Sequence, residues 1–140
     1  MTRIVVEADG ASRGNPGDAA GGCVISDFDS GEVLAESGVL CGQASNNFAE
    51  YAGMIQGLKL AYELYPSAEL IVRMDSKLVV EQMSGRWKIK HPDMKNLAEQ
   101  ARKLIGTRLV TFQWVPRGQN ARADAAANRA LDANESYTHA

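Results

Sequence analysis

The sequence has few cysteines, few aromatic residues, no long apolar run and almost no excess of charge. No segment approaches the roughly 18 apolar residues that suggest a membrane span. The N-terminal stretch MTRIVVEADG lacks the apolar segment and small-residue cleavage site of a signal peptide. The net charge is only −2, which argues against binding of nucleic acid by bulk charge alone. We expect a cytoplasmic protein that makes no contact with a membrane. We also expect a monomer, although none of these features bears on the oligomeric state.

The two cysteines, Cys23 and Cys41, do not form a metal-binding or redox motif. Neither belongs to a C-x-x-C pair, which excludes zinc-ribbon and thioredoxin-like sites. Both fall on predicted strands of one hairpin whose turn lies at residues 29–31. Cys23 would then face residue 36 or 37 and not Cys41, so we expect no disulfide. We predict two small buried side chains in a reducing compartment.

The rest of the composition is typical of one globular domain. The 140 residues are 45% hydrophobic and 23% charged, which suffices for a single core. β-Branched and apolar runs predict strands at residues 3–8, 22–28, 32–41, 70–74 and 109–115. Apolar residues at three- and four-residue steps predict a helix that ends at residue 65 and is capped by Asn46 or Asn47. Three further helices are predicted at residues 77–83, 96–105 and 121–133.

This order of elements predicts an α/β fold. Short loops between the first three strands make them antiparallel, and strands reached through helices run parallel by crossover. The expected result is a mixed five-stranded sheet with helices packed on it. We assign residues 1–133 to this domain and residues 134–140 to a flexible tail or the start of a linker. The Tyr and Met residues of the long helix, and Trp114 in the last strand, are expected in the core.

Four carboxylates, Asp9, Glu50, Asp75 and Asp124, lie near the ends of predicted elements. If these ends meet over one edge of the sheet, the oxygen ligands would suit Mg²⁺ or Mn²⁺ better than zinc. Two such ions about 3.5–4 Å apart can clamp a phosphodiester. Each acid also has a local explanation. Asn47 and Glu50 have capping-box spacing, Asp124 suits a helix dipole, and the other two acids suit turns. The spacing alone leaves both explanations open.

Four segments together carry a resemblance to a known family. They are DGASRGNPGDAAGG, ASNNFAEYAGMIQGL, MDSKLVVEQMSGRW and WVPRGQNARADAAANRAL. In this order they resemble type 1 ribonuclease H over residues 3–133. The sequence is most similar to the bacterial and archaeal-like branch, in which Arg replaces the usual active-site His. The ribonuclease H-like fold of that family agrees with the predicted order of elements.

The resemblance implies an endonuclease that hydrolyses the RNA strand of RNA–DNA hybrids without sequence specificity, leaving 5′-phosphate and 3′-hydroxyl ends. It implies two divalent ions, Mg²⁺ with Mn²⁺ as a substitute. Asp9 would bind both ions, Glu50 and Asp75 one of them, and Asp124 the other. Arg117 lies where many members have a histidine. A guanidinium stays protonated and cannot act as a base, but it can bind the scissile phosphate.

The resemblance also implies contacts to the hybrid. Ser12, Asn15, Asn46 and Asn47 would read the RNA 2′-hydroxyls, which need short polar side chains nearby. Gly10 would let the backbone approach the minor groove. The asparagines have a second explanation as caps and turn residues.

The segment RWKIKHPDMK is the one basic patch of the chain, with four basic residues and one acid. Because it is short, we expect modest and salt-dependent hybrid affinity. Trp87 within it would pack on the DNA strand or cover an edge of the core. His91 is expected on the surface. Lys77, before this segment, would touch a phosphate or remain solvated.

Two other functions stay open from the sequence. One is a DNA nuclease, resolvase or integrase-like enzyme on the same fold. The other is a catalytically silent module that binds hybrids or a partner protein. The asparagines and the glycine-rich segment argue against the first, and the presence of all four acids argues against the second.

Overall fold

The computed structural model describes residues 2–140. Its strands are β1 (Arg3–Gly14), β2 (Gly17–Asp27), β3 (Val33–Ala44), β4 (Glu69–Met74), β5 (Val110–Trp114) and β6 (Tyr137–His139). Its helices are α1 (Asn46–Leu64), α2 (Lys77–Met83), α3 (Pro92–Ile105) and α4 (Ala121–Ala133), with a 3-10 turn at Arg117–Gln119. Within residues 2–140, none of the helices has the length and apolar character needed to span a bilayer.

One mixed sheet contains all these strands, in the order β5-β4-β1-β2-β3-β6. Tight turns make β1, β2 and β3 antiparallel, and Cys23 lies opposite Ser37, in agreement with the predicted hairpin. Cys23 is buried, Cys41 is half-buried, and both are free thiols. β4 pairs in parallel with β1, and β5 pairs in parallel with β4. The predicted α/β fold with helical crossovers is confirmed.

Helices cover both faces of the sheet. On one face, α1, α2 and α3 enclose the main core, in which Ile4, Leu58 and Leu70 are fully buried. On the other face, α4 packs through small side chains, with Ala127 against Ala20 of β2. The predicted core positions Tyr51, Met54, Ile55, Leu58, Ala61 and Tyr62 of α1 are all buried. The central strands are therefore enclosed on both sides.

Two consecutive glycines of β2 let α1 and α4 approach this strand closely. Neighbouring residues of a strand face opposite sides of the sheet. A Cβ atom at Gly21 would lie 2.3 Å from the backbone nitrogen of Gly53 in α1. A Cβ atom at Gly22 would lie 2.4 Å from the carbonyl oxygen of Ala123 in α4. No side chain fits at such distances, so both positions require glycine.

β1 and β2 extend beyond their predicted ends. The sequence predicts a first strand that ends at Asp9, a second that begins at Gly22, and a glycine-rich loop between them. Instead, β1 continues through Asp9 to Gly14, and Gly10 pairs with Gly21. Small residues are typical of loops, but here they leave room for two helix backbones.

The start of α1 also differs from the prediction. Ser45, and not Asn46 or Asn47, is the N-cap, because the Ser45 hydroxyl accepts a hydrogen bond from the Phe48 N–H at 3.2 Å. Glu50 then lies in the second turn, so the capping-box explanation of this acid is wrong. α3 likewise begins earlier than predicted, at Pro92.

Both edges of the sheet differ from the prediction made from the sequence. Trp114 is 47% exposed instead of lying in the core, because β5 is the outermost strand on that side. At the other edge, Tyr137–His139 pairs with β3 as a sixth strand, where we expected a flexible tail and a five-stranded sheet. Tyr137 packs over Gly38 and donates its hydroxyl hydrogen to Glu36 at 2.7 Å. The domain boundary at residue 133 stays a prediction.

The close contact between α1 and β1 gives a stability prediction. A Cβ atom at Gly53 would lie 2.3 Å from the carbonyl oxygen of Asp9. We expect Gly53→Ala to lower the free energy of unfolding by about 3 kcal/mol, because overpacking outweighs the higher helix propensity of alanine. Gly118→Ala is the control, since its Cβ would meet nothing within 4 Å, and it should change stability by less than about 0.5 kcal/mol. Urea unfolding measures both, and equal effects would contradict the close approach.

Candidate active site

Three acids from different elements meet at one edge of the sheet. β1 and β4 are parallel neighbours, so Asp9 in β1 and Asp75 directly after β4 lie close together. α1 packs against β1 and brings Glu50 to the same place. The three side chains each offer one oxygen that lies within 4.8 Å of the other two. Asp9 is 6% exposed, whereas Glu50 and Asp75 are half-buried.

A cavity of about 230 Å³ opens beside these acids. It is lined by Asp9, Gly10, Asn46, Glu50, Asp75, Arg117 and Asp124. Asp124 reaches it from the first turn of α4, and Arg117 reaches it from the 3-10 turn before that helix. All four predicted acids and the predicted arginine therefore share one cavity, although Asp124 lies outside the tight group of three.

The negative charges of the acids in this cavity repel one another. Burial raises the pKa of the Asp9 carboxyl, and the nearby charges of Asp75 and Asp124 raise it further. Burial and the charge of Asp9 also raise the pKa of Glu50. The raised pKa values mean that the cluster holds its full negative charge only at a cost to stability. A bound cation removes that cost.

The cluster fits a divalent cation. The Glu50 Oε2 atom is buried and has no hydrogen-bond partner. A buried carboxylate oxygen without a partner is destabilising unless a cation binds it. The donors are carboxylate oxygens alone, which are the ligands that Mg²⁺ and Mn²⁺ prefer over zinc. Asp9, Glu50 and Asp75 could therefore hold one ion, with Asp124 across the cavity.

Asn120 is a residue of the site that the sequence analysis did not identify. It is 1% exposed, and its Nδ2 group donates to the Ala8 carbonyl at 2.8 Å and to Asp75 Oδ1 at 3.3 Å. This side chain joins the start of α4 to β1 and orients Asp75. Its position before a helix predicts an N-cap, but Asn120 makes no side-chain capping bond. Only the tertiary structure reveals its role.

The predicted substrate residues near the cavity lie where the β1–β2 hairpin meets the start of α1. Gly10 and Asn46 line the cavity. Asn15 Oδ1 accepts a hydrogen bond from the Asn46 N–H at 3.1 Å. Ser12 donates to the Ala44 carbonyl at 3.0 Å. Asn47 is exposed beside Asn46. Of these five residues, only Gly10 and Asn46 line the cavity, and Asn15 is joined to Asn46 by its hydrogen bond.

Lys77 and Trp87 do not line the acidic cavity. Lys77 is the exposed first residue of α2. Trp87 is 46% exposed and borders a different cavity of about 280 Å³, together with Ile89 and Lys95. His91 is exposed and is the N-cap of α3, where its Nδ1 accepts a hydrogen bond from the Asp93 N–H at 3.1 Å. No histidine lines the acidic cavity.

Comparison with known proteins gives the family of this chain. The family described as Reverse transcriptase-like matches residues 7–130, a range that contains all four acids and Arg117. The chain is 54% identical over 132 residues to the Bifunctional protein Rv2228c of Mycobacterium tuberculosis, across 94% of this chain and 36% of that protein. The crystal structure of RNase H1 from the archaeon Halobacterium salinarum is 42% identical with a TM-score of 0.88, across 94% of this chain and 98% of that chain. The chain belongs to the type 1 ribonuclease H family.

A further type 1 ribonuclease H, LC11-RNase H1, has a crystal structure in complex with an RNA/DNA hybrid. It is 38% identical to this chain with a TM-score of 0.88, across 94% of this chain and 98% of that chain. The family resemblance of the four sequence segments is thereby confirmed. The chain spans about a third (36%) of the length of the first curated relatives that it matches.

The repulsion among the acids predicts a stabilising substitution. Asp9→Asn removes one charge from the buried group, while the amide oxygen can still accept the Gly10 N–H bond of 2.9 Å. In EDTA we expect Asp9→Asn to raise the free energy of unfolding by about 1–3 kcal/mol. Glu63→Gln, on the exposed last turn of α1, is the matched control and should change it by less than about 0.5 kcal/mol.

Addition of metal should stabilise the wild-type protein more than Asp9→Asn and so reverse the difference in stability between them. Mg²⁺ at about 100 times its dissociation constant should stabilise the wild-type protein by about 2.7 kcal/mol, and Asp9→Asn by much less. Thermal unfolding with EDTA and with Mg²⁺ measures both effects. A lower stability of Asp9→Asn in EDTA would contradict the repulsion, and equal stabilisation of both proteins by Mg²⁺ would contradict the cation site.

Proposed function

We propose that this chain is a metal-dependent endonuclease that hydrolyses the RNA strand of RNA–DNA hybrids without sequence specificity, leaving 5′-phosphate and 3′-hydroxyl ends. The observation that carries the proposal is the meeting of Asp9, Glu50 and Asp75 within 4.8 Å, in a cavity shared with Asp124 and Arg117. Membership in the type 1 ribonuclease H family supports the choice of substrate, and the relative solved with an RNA/DNA hybrid belongs to the same family.

Two Mg²⁺ ions, or Mn²⁺ in their place, would be held by the four acids. We assign Asp9 to both ions, Glu50 and Asp75 to one, and Asp124 to the other. The chemistry that such a pair supplies when bound is activation of a water molecule and stabilisation of the leaving 3′-oxygen. The buried, unpartnered oxygen of Glu50 supports its assignment as a ligand.

The protein side chains would orient the reacting groups. Asn120 fixes the carboxylate of Asp75 through its hydrogen bond of 3.3 Å. Arg117 lies on the cavity wall, where its guanidinium would attract the scissile phosphate and would not serve as a base. The cavity includes no histidine, and we assign no general base to a protein side chain.

The rim of the cavity would recognise the hybrid. Ser12, Asn15, Asn46 and Asn47 present short polar groups at the place where the β1–β2 hairpin meets α1. Such groups can bind the 2′-hydroxyl, which donates and accepts hydrogen bonds and distinguishes RNA from DNA. Gly10 leaves the backbone accessible at the same rim.

The DNA strand would lie towards the basic segment after α2. We assign Trp87, which is 46% exposed, to packing against the sugars of that strand. Arg86 is occupied by a bidentate ion pair with Glu81, at 2.6 and 2.8 Å, which leaves the lysines of the segment for phosphate contacts. Affinity that rests on few charges should be modest and should fall steeply with salt.

We propose that the chain acts as a monomer, since a single chain supplies all four acids and Arg117. The two free thiols support a reducing compartment such as the cytoplasm. A membrane takes no part in the proposed reaction.

Cleavage of four end-labelled duplexes tests the proposal. The duplexes are RNA–DNA, RNA–RNA, DNA–DNA, and DNA with one ribonucleotide, each with Mg²⁺, Mn²⁺ or EDTA. We expect metal-dependent cutting of the RNA strand of the hybrid alone, with 5′-phosphate and 3′-hydroxyl ends. Cutting of DNA–DNA would make the chain a DNA nuclease on the same fold. Hybrid binding without cutting under either metal would make it a silent binding module.

Two substitutions test the assigned roles. Asp9→Asn should abolish cleavage while the protein stays folded, because the shared ligand of both ions is lost. Arg117→Ala should lower kcat by about 100-fold, as expected for loss of one charge contact in the transition state, and Arg117→Lys should recover part of it. Gel assays with Glu63→Gln as the control measure these rates. Persistent cleavage by Asp9→Asn would overturn the metal-site assignment.

A further inference from the structure

Trp114 lies at the end of the edge strand β5, directly beside Asp75. It pairs with Met74 in the parallel ladder, and its indole N–H donates to the backbone carbonyl of Asp75 at 3.2 Å. The side chain is nevertheless 47% exposed. A large aromatic surface therefore lies in water beside Asp75, one of the residues that line the acidic cavity.

The exposed ring of Trp114 contacts the side chain of Lys77. The ammonium nitrogen of Lys77 lies 5.8 Å from the centre of the Trp114 ring, within the range of a cation–π contact. Glu81, one helical turn after Lys77, would be the usual salt-bridge partner of this lysine. Both oxygens of Glu81 are instead bonded to Arg86. Among residues 2–140, Lys77 forms no salt bridge.

The ring also determines where the ammonium is held. Lys77 follows Asp75 by two residues, so a lysine without the ring could fold back onto the carboxylates and compete with a metal ion. The ammonium lies over the Trp114 ring, and the lining of the cavity does not include Lys77. An ammonium held there is available to a ligand that lies across the edge of the cavity.

We infer that Trp114 is a positioning residue that holds Lys77 for a backbone phosphate of the hybrid, next to the bond that is cut. The inference rests on the proposed function, because it assumes that a hybrid crosses the acidic cavity. The lysine ammonium is a compact charge with three hydrogen-bond donors, which suits a phosphate. A contact to a backbone phosphate does not depend on the base sequence. The Lys77–Trp114 pair would therefore increase affinity equally for all sequences.

The affinity for the hybrid, measured in a variant that does not cut it, tests the role of the Lys77–Trp114 pair. The parent is Asp9→Asn with Mg²⁺, and the variants added to it are Lys77→Met, Trp114→Leu, both together, and Trp114→Phe. Lys77→Met should weaken binding by about five-fold and reduce the slope of log affinity against log salt by about 0.7–0.9, as expected for one lost phosphate contact. Lys59→Met, an exposed lysine of α1, is the matched control and should leave both quantities unchanged.

The double variant separates positioning from an independent contact. Trp114→Leu should weaken binding by about three-fold in the parent but by less than about 1.5-fold when Lys77 is already Met, because contacting residues are not additive. Trp114→Phe keeps a ring under the ammonium and should recover most of the affinity. Additive effects of Lys77→Met and Trp114→Leu would overturn the inference.

Fluorescence gives a readout that a purely structural role would not change. The chain has two tryptophans, so Trp87→Phe leaves Trp114 as the single one. Because Trp87 is itself assigned to the hybrid, affinities are compared only among proteins that carry Trp87→Phe. Hybrid binding should change the Trp114 emission when Lys77 is present, and much less after Lys77→Met. Equal changes with and without Lys77 would overturn the inference. If the wild-type protein also fails to cut the hybrid, the proposed function fails as well, whereas binding without coupling removes only the role of Trp114.

Discussion

The acidic cavity depends on the close approach of two helices to one strand from opposite faces. Gly21 and Gly22 are neighbours in β2, so one accepts the backbone of α1 and the other accepts the backbone of α4. α1 carries Glu50, and α4 carries Asp124. Because these helices approach the sheet backbone closely at the two glycines, short carboxylates from both can reach the same edge of the sheet as Asp9.

Gathering the acids opposes folding and favours binding of a cation. Burial and mutual repulsion raise the pKa of Asp9 and Glu50, which shows that the cluster reduces stability without a cation. The aliphatic core between the sheet and α1 to α3 must offset this loss. Asn120, buried between β1 and α4, keeps Asp75 from moving away from the repulsion. The same strain that weakens the free protein makes the cluster a ligand set for small, hard cations.

The sequence predicts those features that depend on local pattern. The helical period of α1, the apolar runs of β4 and β5 and the order of elements predict the fold, and the family resemblance identifies the four acids that the cavity brings together. Features that depend on contacts between residues far apart in the sequence were not predictable in this way. The glycines of β1 and β2 resemble a loop until α1 and α4 are placed against them. The exposure of Trp114 depends on its edge position, and the role of Asn120 depends on contacts with Ala8 and Asp75.

The adjacent glycines also make the site sensitive to changes in chain length. Because strand residues alternate between faces, one residue inserted within β2 between Gly22 and the hairpin turn would exchange the faces of everything on one side of it. Either the core residues or the two glycines would then point the wrong way. The turn at residues 29–31 lies beyond the Asp27 end of β2, whereas the two glycines lie in the middle of the strand. Evolution can therefore lengthen this hairpin at its turn while the stretch that holds the two helices keeps its residue count.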